Sequence, residues 1–121
     1  MTRIKGAYPL GKSSSKYKNN KITYRGETFD SKKEFEYYLI LKDREKRGEI
    51  TDLKRQVPIE IQPAFVDRQG NKIREITYKA DFYYYDIKGR DHVVDVKGYK
   101  TEVYKLKKKL LAYMGIIIEE V

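Results

Sequence analysis

Apolar and polar residues follow a strand-like pattern most clearly in two runs in the second half of the chain. Residues 76–85 are rich in β-branched and aromatic side chains, and residues 91–97 resume this composition after a short gap. Such composition is typical of β-strands. The gap contains Ile87, Lys88 and Gly89, and glycine suits the left-handed backbone of a tight turn. The two runs are therefore predicted to form a hairpin.

Two further segments have the spacing of helices. The first helix is predicted over residues 31–47, with Ser31 and Glu34 at the spacing of a capping box. The second is predicted to begin near Thr101 and to end at Gly115. Its apolar face is predicted from residues that recur three or four positions apart, namely Val103, Leu106, Leu110 and Met114.

Three shorter segments complete the predicted fold. Residues 22–24 suit a short strand, and residues 116–118 suit a final strand. Residues 53–66 suit an edge or bent strand, because Pro58 and Pro63 cannot donate to a ladder. The predicted fold class is α/β, a mixed and mainly antiparallel sheet flanked by helices, in the order helix, three strands, helix, strand. The candidate site is expected at one edge of this sheet.

The turn of the hairpin decides which side chains face each other. If Asp86 pairs with Arg90 around a three-residue loop, Asp81 falls directly opposite Asp95, with their Cβ atoms ~5 Å apart. A two-residue loop would place the two aspartates on opposite faces unless a bulge intervened. Since side chains alternate along a strand, Asp95 and Lys97 share one face in either case.

Two carboxylates and one amine at the same point suit the cleavage of phosphodiesters. Asp81 and Asp95 would hold a divalent cation, with the carbonyl of Val96 as a further oxygen ligand, and Lys97 would orient or deprotonate the attacking water. Mg²⁺ suits these oxygen ligands. Zinc suits them poorly, because the chain has no cysteine and one histidine, His92, which is expected to be an exposed turn residue.

Each of these residues also has a simpler interpretation. A strand aspartate such as Asp81 is common in a chain with 37% charged residues, and so is a DxK tripeptide such as Asp95-Val96-Lys97. Only their combination favours a site. Glu34 is explained by the capping box alone. It also shares a helical face with Tyr38 and Leu41, which would point it toward the protein body as a third metal ligand, direct or through water. Both interpretations of Glu34 stay open.

Four segments of the chain resemble a known group of nucleases. The segments are 29–34, 56–58, 78–82 and 94–98. Their order and spacing are similar to those of small phage proteins of the PD-(D/E)XK nuclease superfamily, described as Holliday-junction-resolvase-like. The resemblance covers roughly residues 22–112, although Ala80 stands where the superfamily name has proline. It implies a restriction-endonuclease-like core, Mg²⁺ or Mn²⁺, and a catalytic set of Glu34, Asp81, Asp95 and Lys97.

Charge and composition indicate the partner. The chain has 121 residues, enough for one domain, and its 27 basic residues against 18 acidic ones give a net charge of +9, which favours nucleic acid. The absence of cysteine excludes a disulfide scaffold and is compatible with a reducing cytoplasm. No run approaches the ~20 apolar residues of a membrane span, and residues 1–21 lack the apolar stretch of a signal peptide. A cytoplasmic location is expected, in a bacterial host if the protein is phage-encoded.

Basic residues are concentrated in two segments outside the predicted strands. Residues 1–20 are predicted to be a flexible basic arm that tracks phosphates or orders on a partner, or a plain disordered tail, and residues 21–121 a single nuclease domain. The second helix carries a lysine run that begins close after the DxK segment, although such a run is usually a solvated face. The lysines predicted to contact DNA are Lys12, Lys16, Lys18, Lys105, Lys107, Lys108 and Lys109.

Tyrosines add a weaker signal for nucleic acid. Tyr83, Tyr85 and Tyr99 lie near the predicted site in sequence and could stack on unpaired bases. They could equally be ordinary strand residues. Tyr84 is assigned this second role, because alternation is expected to place it on the same face as Ala80.

These patterns together predict a metal-dependent DNA endonuclease, and the resemblance implies one of the resolvase type, which cleaves Holliday junctions during DNA recombination. Two cuts need two sites, so a homodimer is predicted, paired through the arm or through the edge of residues 116–118. One alternative is a nuclease that acts on linear duplex or transposon-end DNA. Another is a non-catalytic basic DNA-binding module, which would not need all four candidate catalytic residues together.

Overall fold

The computed structural model of the protein describes residues 21–96 and 98–121. The chain divides into two compact units that part between Glu36 and Tyr37, inside the first helix. The prediction of a single domain over residues 21–121 stays a prediction. Neither helix in these ranges combines the length and apolar character needed to cross a bilayer.

The first unit contains a short hairpin. Strand β1 (Ile22–Tyr24) pairs antiparallel with β2 (Glu27–Phe29). The two residues between them, Arg25 and Gly26, both have positive φ, 51° and 83°, which is the geometry of a type I′ turn and matches the twist of the strands. The predicted strand at 22–24 is confirmed.

Helix α1 (Lys32–Lys46) confirms the predicted first helix within one residue at each end. The N–H of Glu34 donates to the Ser31 hydroxyl at 3.1 Å, as expected for an N-cap serine. In the first unit, Phe35 packs against Tyr24 and Phe29, with ring centroids 5.2 and 5.3 Å apart. These aromatic contacts fix the beginning of the helix on its own hairpin.

A four-stranded mixed sheet forms the centre of the second unit. Its strand order is β3 (Ile50–Gln62), β6 (Ile76–Asp86), β7 (Asp91–Asp95) and β8 (Ile118–Glu120). The first three strands are antiparallel, whereas β8 runs parallel to β7, and helix α2 (Glu102–Tyr113) connects them. The predicted α/β class is confirmed, while a restriction-endonuclease-like core stays a prediction.

Strand β3 is an edge strand, as its prolines predict, but its bounds differ from residues 53–66. The strand stops at Gln62 because Pro63 has no N–H to donate. The chain then forms a separate two-stranded hairpin of β4 (Phe65–Val66) and β5 (Lys72–Ile73) before β6 begins. Asp67 closes its turn by accepting the N–H groups of Gln69 and Asn71, both at 2.9 Å.

The final strand lies two residues later than predicted. Gly115 has φ 91° and ends α2, and the N–H of Ile116 still donates to the Leu111 carbonyl at 2.8 Å. This pair of features is a Schellman C-cap, so the residues after the glycine still belong to the helix end. Ile117 is consequently exposed, and pairing with β7 starts at Ile118.

Two hydrophobic clusters form the core of the second unit. One contains Val93 and Ile118 of the sheet with Tyr104 and Leu111 of α2. The other contains Phe82, Tyr84 and Val94 of the sheet with Leu41 of α1 and Ile50. Since β6 and β7 contribute to both clusters, they are central strands buried by side chains on either face.

Candidate active site

The turn between β6 and β7 has the three-residue loop on which the predicted site depends. The N–H of Asp86 donates to the Arg90 carbonyl at 2.9 Å, and the N–H of Gly89, with φ 79°, donates to the Asp86 carbonyl at 3.0 Å. The Asp86 carboxylate accepts the N–H groups of Lys88 and Arg90 at 2.8 and 3.0 Å. The three-residue alternative is therefore confirmed over the two-residue one.

This turn sets the register on which the approach of two carboxylates depends. Phe82 pairs with Val94 and Tyr83 with Val93, so continuation of the same register would place Asp81 opposite Asp95. Directly opposed residues of an antiparallel pair have Cβ atoms ~5 Å apart. The pair lies on the two central strands of the sheet, and the expectation of a site at one edge is wrong.

Side-chain alternation along β6 changes phase at Asp81. Tyr78 and Ala80 pack in the cluster with α2, whereas Phe82 and Tyr84 pack in the cluster with α1. Strict alternation would place all four on one face. The expectation that Tyr84 shares a face with Ala80 is wrong for this reason.

Asp81 is held by a partner on each side. Gln56 of β3 lies opposite it and has φ 52°, an irregularity of the kind that redirects a side chain. The Gln56 amide donates to Asp81 Oδ1 at 3.4 Å, and the N–H of Val96, the first residue after β7, donates to Asp81 Oδ2 at 2.8 Å. Asp95 is only 3% exposed. Asp81 is thus half-buried, and Asp95 is almost fully buried.

Two tyrosine hydroxyls adjoin the acidic pair. Burial raises the pKa of Tyr78, and the neighbouring Asp95 carboxylate raises it further. Burial also raises the pKa of Tyr104, followed by its hydrogen bond to Glu120 and the charge of Asp95. Both phenols therefore remain protonated at neutral pH and act as neutral groups beside the carboxylates.

Glu120 is a further carboxylate next to this pair. The parallel register places it opposite Asp95, and its Oε2 accepts from the Tyr104 hydroxyl at 2.6 Å. The sequence prediction misses both residues, because the apolar spacing of α2 favours Val103 over Tyr104 and the isoleucine run favours an earlier strand. An acidic residue directly after an apolar strand segment is the one signal that could have indicated Glu120.

The remaining predicted ligands are placed as follows. Glu34 lies in the first unit, in the first turn of α1, and is 3% exposed. The Val96 N–H contacts Asp81, while the role of its carbonyl as a ligand stays a prediction. Lys97 lies outside the described residues. The ligand roles of Glu34 and Val96 and the catalytic role of Lys97 stay predictions.

The donor set of the pair suits a hard cation. Within residues 21–96 and 98–121, no three His, Cys, Asp or Glu side chains are grouped so that they could hold a metal ion. Asp81 and Asp95 supply oxygen donors from adjacent strands, and Mg²⁺ is commonly bound through one or two carboxylates while it keeps several waters. The pair therefore fits Mg²⁺ as a two-carboxylate set.

His92 is not an exposed turn residue, and that prediction is wrong. It lies in β7, where Nε2 contacts Asp86 Oδ2 at 2.9 Å and Nδ1 contacts Glu119 Oε2. Its ring stacks on Tyr84 with centroids 4.8 Å apart. The hydrogen bond to Asp86 is the largest of the effects that raise the pKa of His92. Because the side chains of Tyr84 and Val94 pack in the α1 cluster, this ion-paired histidine is on the opposite face of the sheet from Asp95.

The lysines of α2 differ in their surroundings. Lys105 and Lys109 are exposed, and Lys107 and Lys108 are half-buried. Lys105 pairs with Glu102 at 3.1 Å and Lys108 with Glu120 at 3.0 Å. Their contact with DNA stays a prediction. Three further predicted lysines belong to the arm of residues 1–20, which lies outside the described part of the chain, namely Lys12, Lys16 and Lys18.

Residues 14–118 match the family described as protein of unknown function (DUF1064). The chain belongs to this family. The match includes both aspartates of the site and the whole of α2, so both lie within the length of chain that the family model covers. No curated protein and no solved structure matches the chain. The DUF1064 description names no activity, and the function of this member must come from its side chains.

Proposed function

We propose that the protein is a metal-dependent endonuclease that cleaves phosphodiester bonds of DNA. The observation that carries this proposal is the register of central strands β6 and β7, whose continuation beyond Phe82 and Val94 would place Asp81 opposite Asp95. Like charges directly opposite each other destabilise a strand pair. A divalent cation between the two carboxylates would offset this repulsion, so the pair supports a metal site.

The proposed roles follow from the position of each group. Asp81 and Asp95 would hold Mg²⁺ or Mn²⁺, and the ion, when bound, would stabilise negative charge on the phosphoryl oxygens. Lys97, two residues after Asp95, is proposed to orient or deprotonate the attacking water. The hydrogen bonds from Gln56 and Val96 fix the Asp81 carboxylate, so its oxygens need little reorganisation when the substrate binds.

Nucleic acid is the partner that the charge of the chain supports. The net charge of +9 favours a polyanion, and the lysines of α2 lie on the element that directly follows the site segment. The finer proposal is a phage-type resolvase that cleaves branched DNA such as Holliday junctions. That proposal rests on the resemblance of the four sequence segments to the resolvase-like nucleases.

A panel of DNA substrates tests the proposal. Linear, single-stranded, forked and four-way-junction DNA are incubated with the protein, with and without Mg²⁺, beside an Asp95→Ala variant. We expect Mg²⁺-dependent cleavage that is fastest on the four-way junction and lost in the variant. If the protein bound every substrate and cleaved none, the nuclease proposal would be rejected in favour of a non-catalytic DNA-binding module. Cleavage of linear duplex at an equal rate would remove the resolvase proposal alone.

A further inference from the structure

Glu120 is the centre of a polar network next to Asp95. The register of β7 and β8 places the two residues opposite each other, so their side chains share one face of the sheet on strands ~4.8 Å apart. Glu120 Oε2 accepts from the Tyr104 hydroxyl at 2.6 Å and from Lys108 Nζ at 3.0 Å, and Oε1 accepts from Lys100 Nζ at 2.9 Å. These contacts lower the pKa of Glu120 to about 2 and keep it charged at neutral pH.

The network lines an open hollow at the surface of the second unit. Its walls are formed by Lys100, Tyr104, Lys105, Lys108, Lys109, Ala112 and Glu120. Four of these side chains are lysines, and within the part of the chain that the structure describes their ion pairs are with Glu120 inside the hollow and Glu102 beside it. The hollow therefore keeps a positive balance, although one carboxylate lies within it.

Lys100 and Lys108 retain donors that Glu120 does not use. An ammonium group has three N–H donors, and each of these lysines makes one contact with Glu120. Their side chains are 48% and 40% exposed, so the remaining donors are accessible to an anion. A lysine held by a carboxylate has already lost part of its rotamer entropy, which makes a second contact less costly.

Given the proposed nuclease function, we propose that this hollow binds a backbone phosphate of the DNA strand, next to the phosphate that is cleaved. Lys100 and Lys108 are its ligands. Glu120 is a positioning residue that orders both ammonium groups on the face of the sheet that carries Asp95. The hydroxyl of Tyr104 fixes Glu120 in turn.

A charge-matched pair of variants tests the positioning role. Glu120→Gln and Glu119→Gln each raise the net charge from +9 to +10, and added positive charge alone tightens DNA binding. Glu119 is the adjacent residue of β8, but its carboxylate contacts His92. We expect Glu120→Gln to lower kcat about tenfold or more without weakening DNA affinity, while Glu119→Gln keeps kcat. Equal kcat values in the two variants would overturn the role of Glu120.

The phosphate contacts are tested by the salt dependence of DNA binding, measured on the full chain without metal. Each contact between a lysine and a phosphate adds about 0.9 to the slope of log K against log salt. We expect Lys100→Ala and Lys108→Ala each to reduce the slope by about one. Lys88→Ala, in the turn at the other end of the β6–β7 hairpin, is the matched control and should leave it unchanged. If Lys100→Ala and Lys108→Ala gave the same salt slope as Lys88→Ala, the proposed phosphate site would be overturned.

The two proposals fail in different ways. Since the salt slopes need no metal and no turnover, a wild-type protein that cleaves no DNA would sink the nuclease proposal, and the slopes would still decide the phosphate site. Normal cleavage by Lys100→Ala and Lys108→Ala with unchanged slopes would remove the phosphate site and leave the nuclease intact.

Free inorganic phosphate could bind the hollow through the same contacts as a phosphate of the DNA backbone. A competition experiment distinguishes these two ligands. Chloride is replaced by inorganic phosphate at constant ionic strength while DNA binding is measured. We expect phosphate to displace DNA no better than chloride, because a strand presents its phosphates in a row. Specific displacement by phosphate that disappears in Lys100→Ala would reassign the hollow to free phosphate and contradict a strand site.

Discussion

The register that would place Asp81 opposite Asp95 depends on Asp86, which lies five residues along β6 from Asp81 and closes the turn. The Asp86 carboxylate accepts two backbone N–H groups of the turn, which fixes a three-residue loop. A loop with one residue fewer would shift the pairing by one residue, half of the two-residue side-chain period, and would place the two aspartates on opposite faces of the sheet. The chemistry of the proposed site thus depends on a residue that has no part in it.

Single substitutions at the proposed catalytic residues should separate cleavage from binding. Asp81→Asn, Asp95→Asn and Lys97→Ala are each expected to lower the cleavage rate by about 100-fold or more, while DNA affinity falls little because it rests on other lysines. Asp91→Asn, an exposed residue of β7 that contacts Tyr83, is the matched charge control. Single-turnover cleavage and fluorescence anisotropy measure the two quantities. Near-normal cleavage in any of the three variants would count against the assignment.

His92 predicts a pH dependence of folding. Asp86 and Glu119 contact its two nitrogens, and Arg44 lies over the Tyr84 ring on which it stacks. The pKa of His92 is raised in the folded protein. The protonated ring therefore stabilises the fold fully below the pKa of an unfolded histidine, ~6.5, and this stabilisation is lost as pH rises through the pKa in the folded protein. We expect the free energy of unfolding in urea to fall from pH ~6 to ~8. A His92→Gln variant with the same pH slope would contradict this.

At the scale of elements, the sequence predicts the hairpin well and the face of α2 poorly. The hairpin has a local signal, since the glycine and Asp86 determine the turn. In α2, Val103 and Leu106 are 61% and 56% exposed, whereas Tyr104 and Leu111 are buried. Apolar spacing favours the wrong side because the buried side includes a tyrosine that hydrogen-bonds Glu120, a residue that only the tertiary fold brings close.

Gly89 provides a test of the turn as an element. Its φ of 79° lies in the left-handed region, and a Cβ at this position would meet no atom within 4 Å, so a side chain would cost backbone strain alone. We expect Gly89→Ala to lower the free energy of unfolding by about 1 kcal/mol. Gly98→Ala is the control, since its Cβ also has open space and its backbone is not left-handed. Equal stability of the two variants in urea titrations would argue against a strained turn.

At the scale of the whole molecule, the order of the main elements follows from the sequence, whereas the arrangement of the sheet does not. Helix, strands, helix and final strand occur in the predicted sequence. The parallel pairing of β8 beside β7 places the acidic pair on central strands, and no local pattern specifies this long-range choice. The short hairpin of β4 and β5 is likewise absent from the prediction, because its strands have two residues each.

A homodimer is the remaining prediction at this scale. A four-way junction is resolved by two cuts, and one acidic pair in each chain provides one cutting centre, so two-fold pairing is expected. Sedimentation with and without residues 1–20 tests whether the arm supports the dimer. Paired nicks on a cruciform plasmid should appear together with the dimer. A protein that stays monomeric on junction DNA and makes only single nicks would remove both the dimer and the resolvase proposal.

Asp81 and Asp95 are proposed to share a divalent cation, and titration with Mn²⁺ tests this claim on the protein alone. Titration of Mn²⁺ followed by electron paramagnetic resonance counts bound ions without DNA or turnover. We expect one ion per chain in the wild type and in Asp91→Asn, and none in Asp81→Asn or Asp95→Asn. Equal Mn²⁺ binding by all four proteins would contradict the claim.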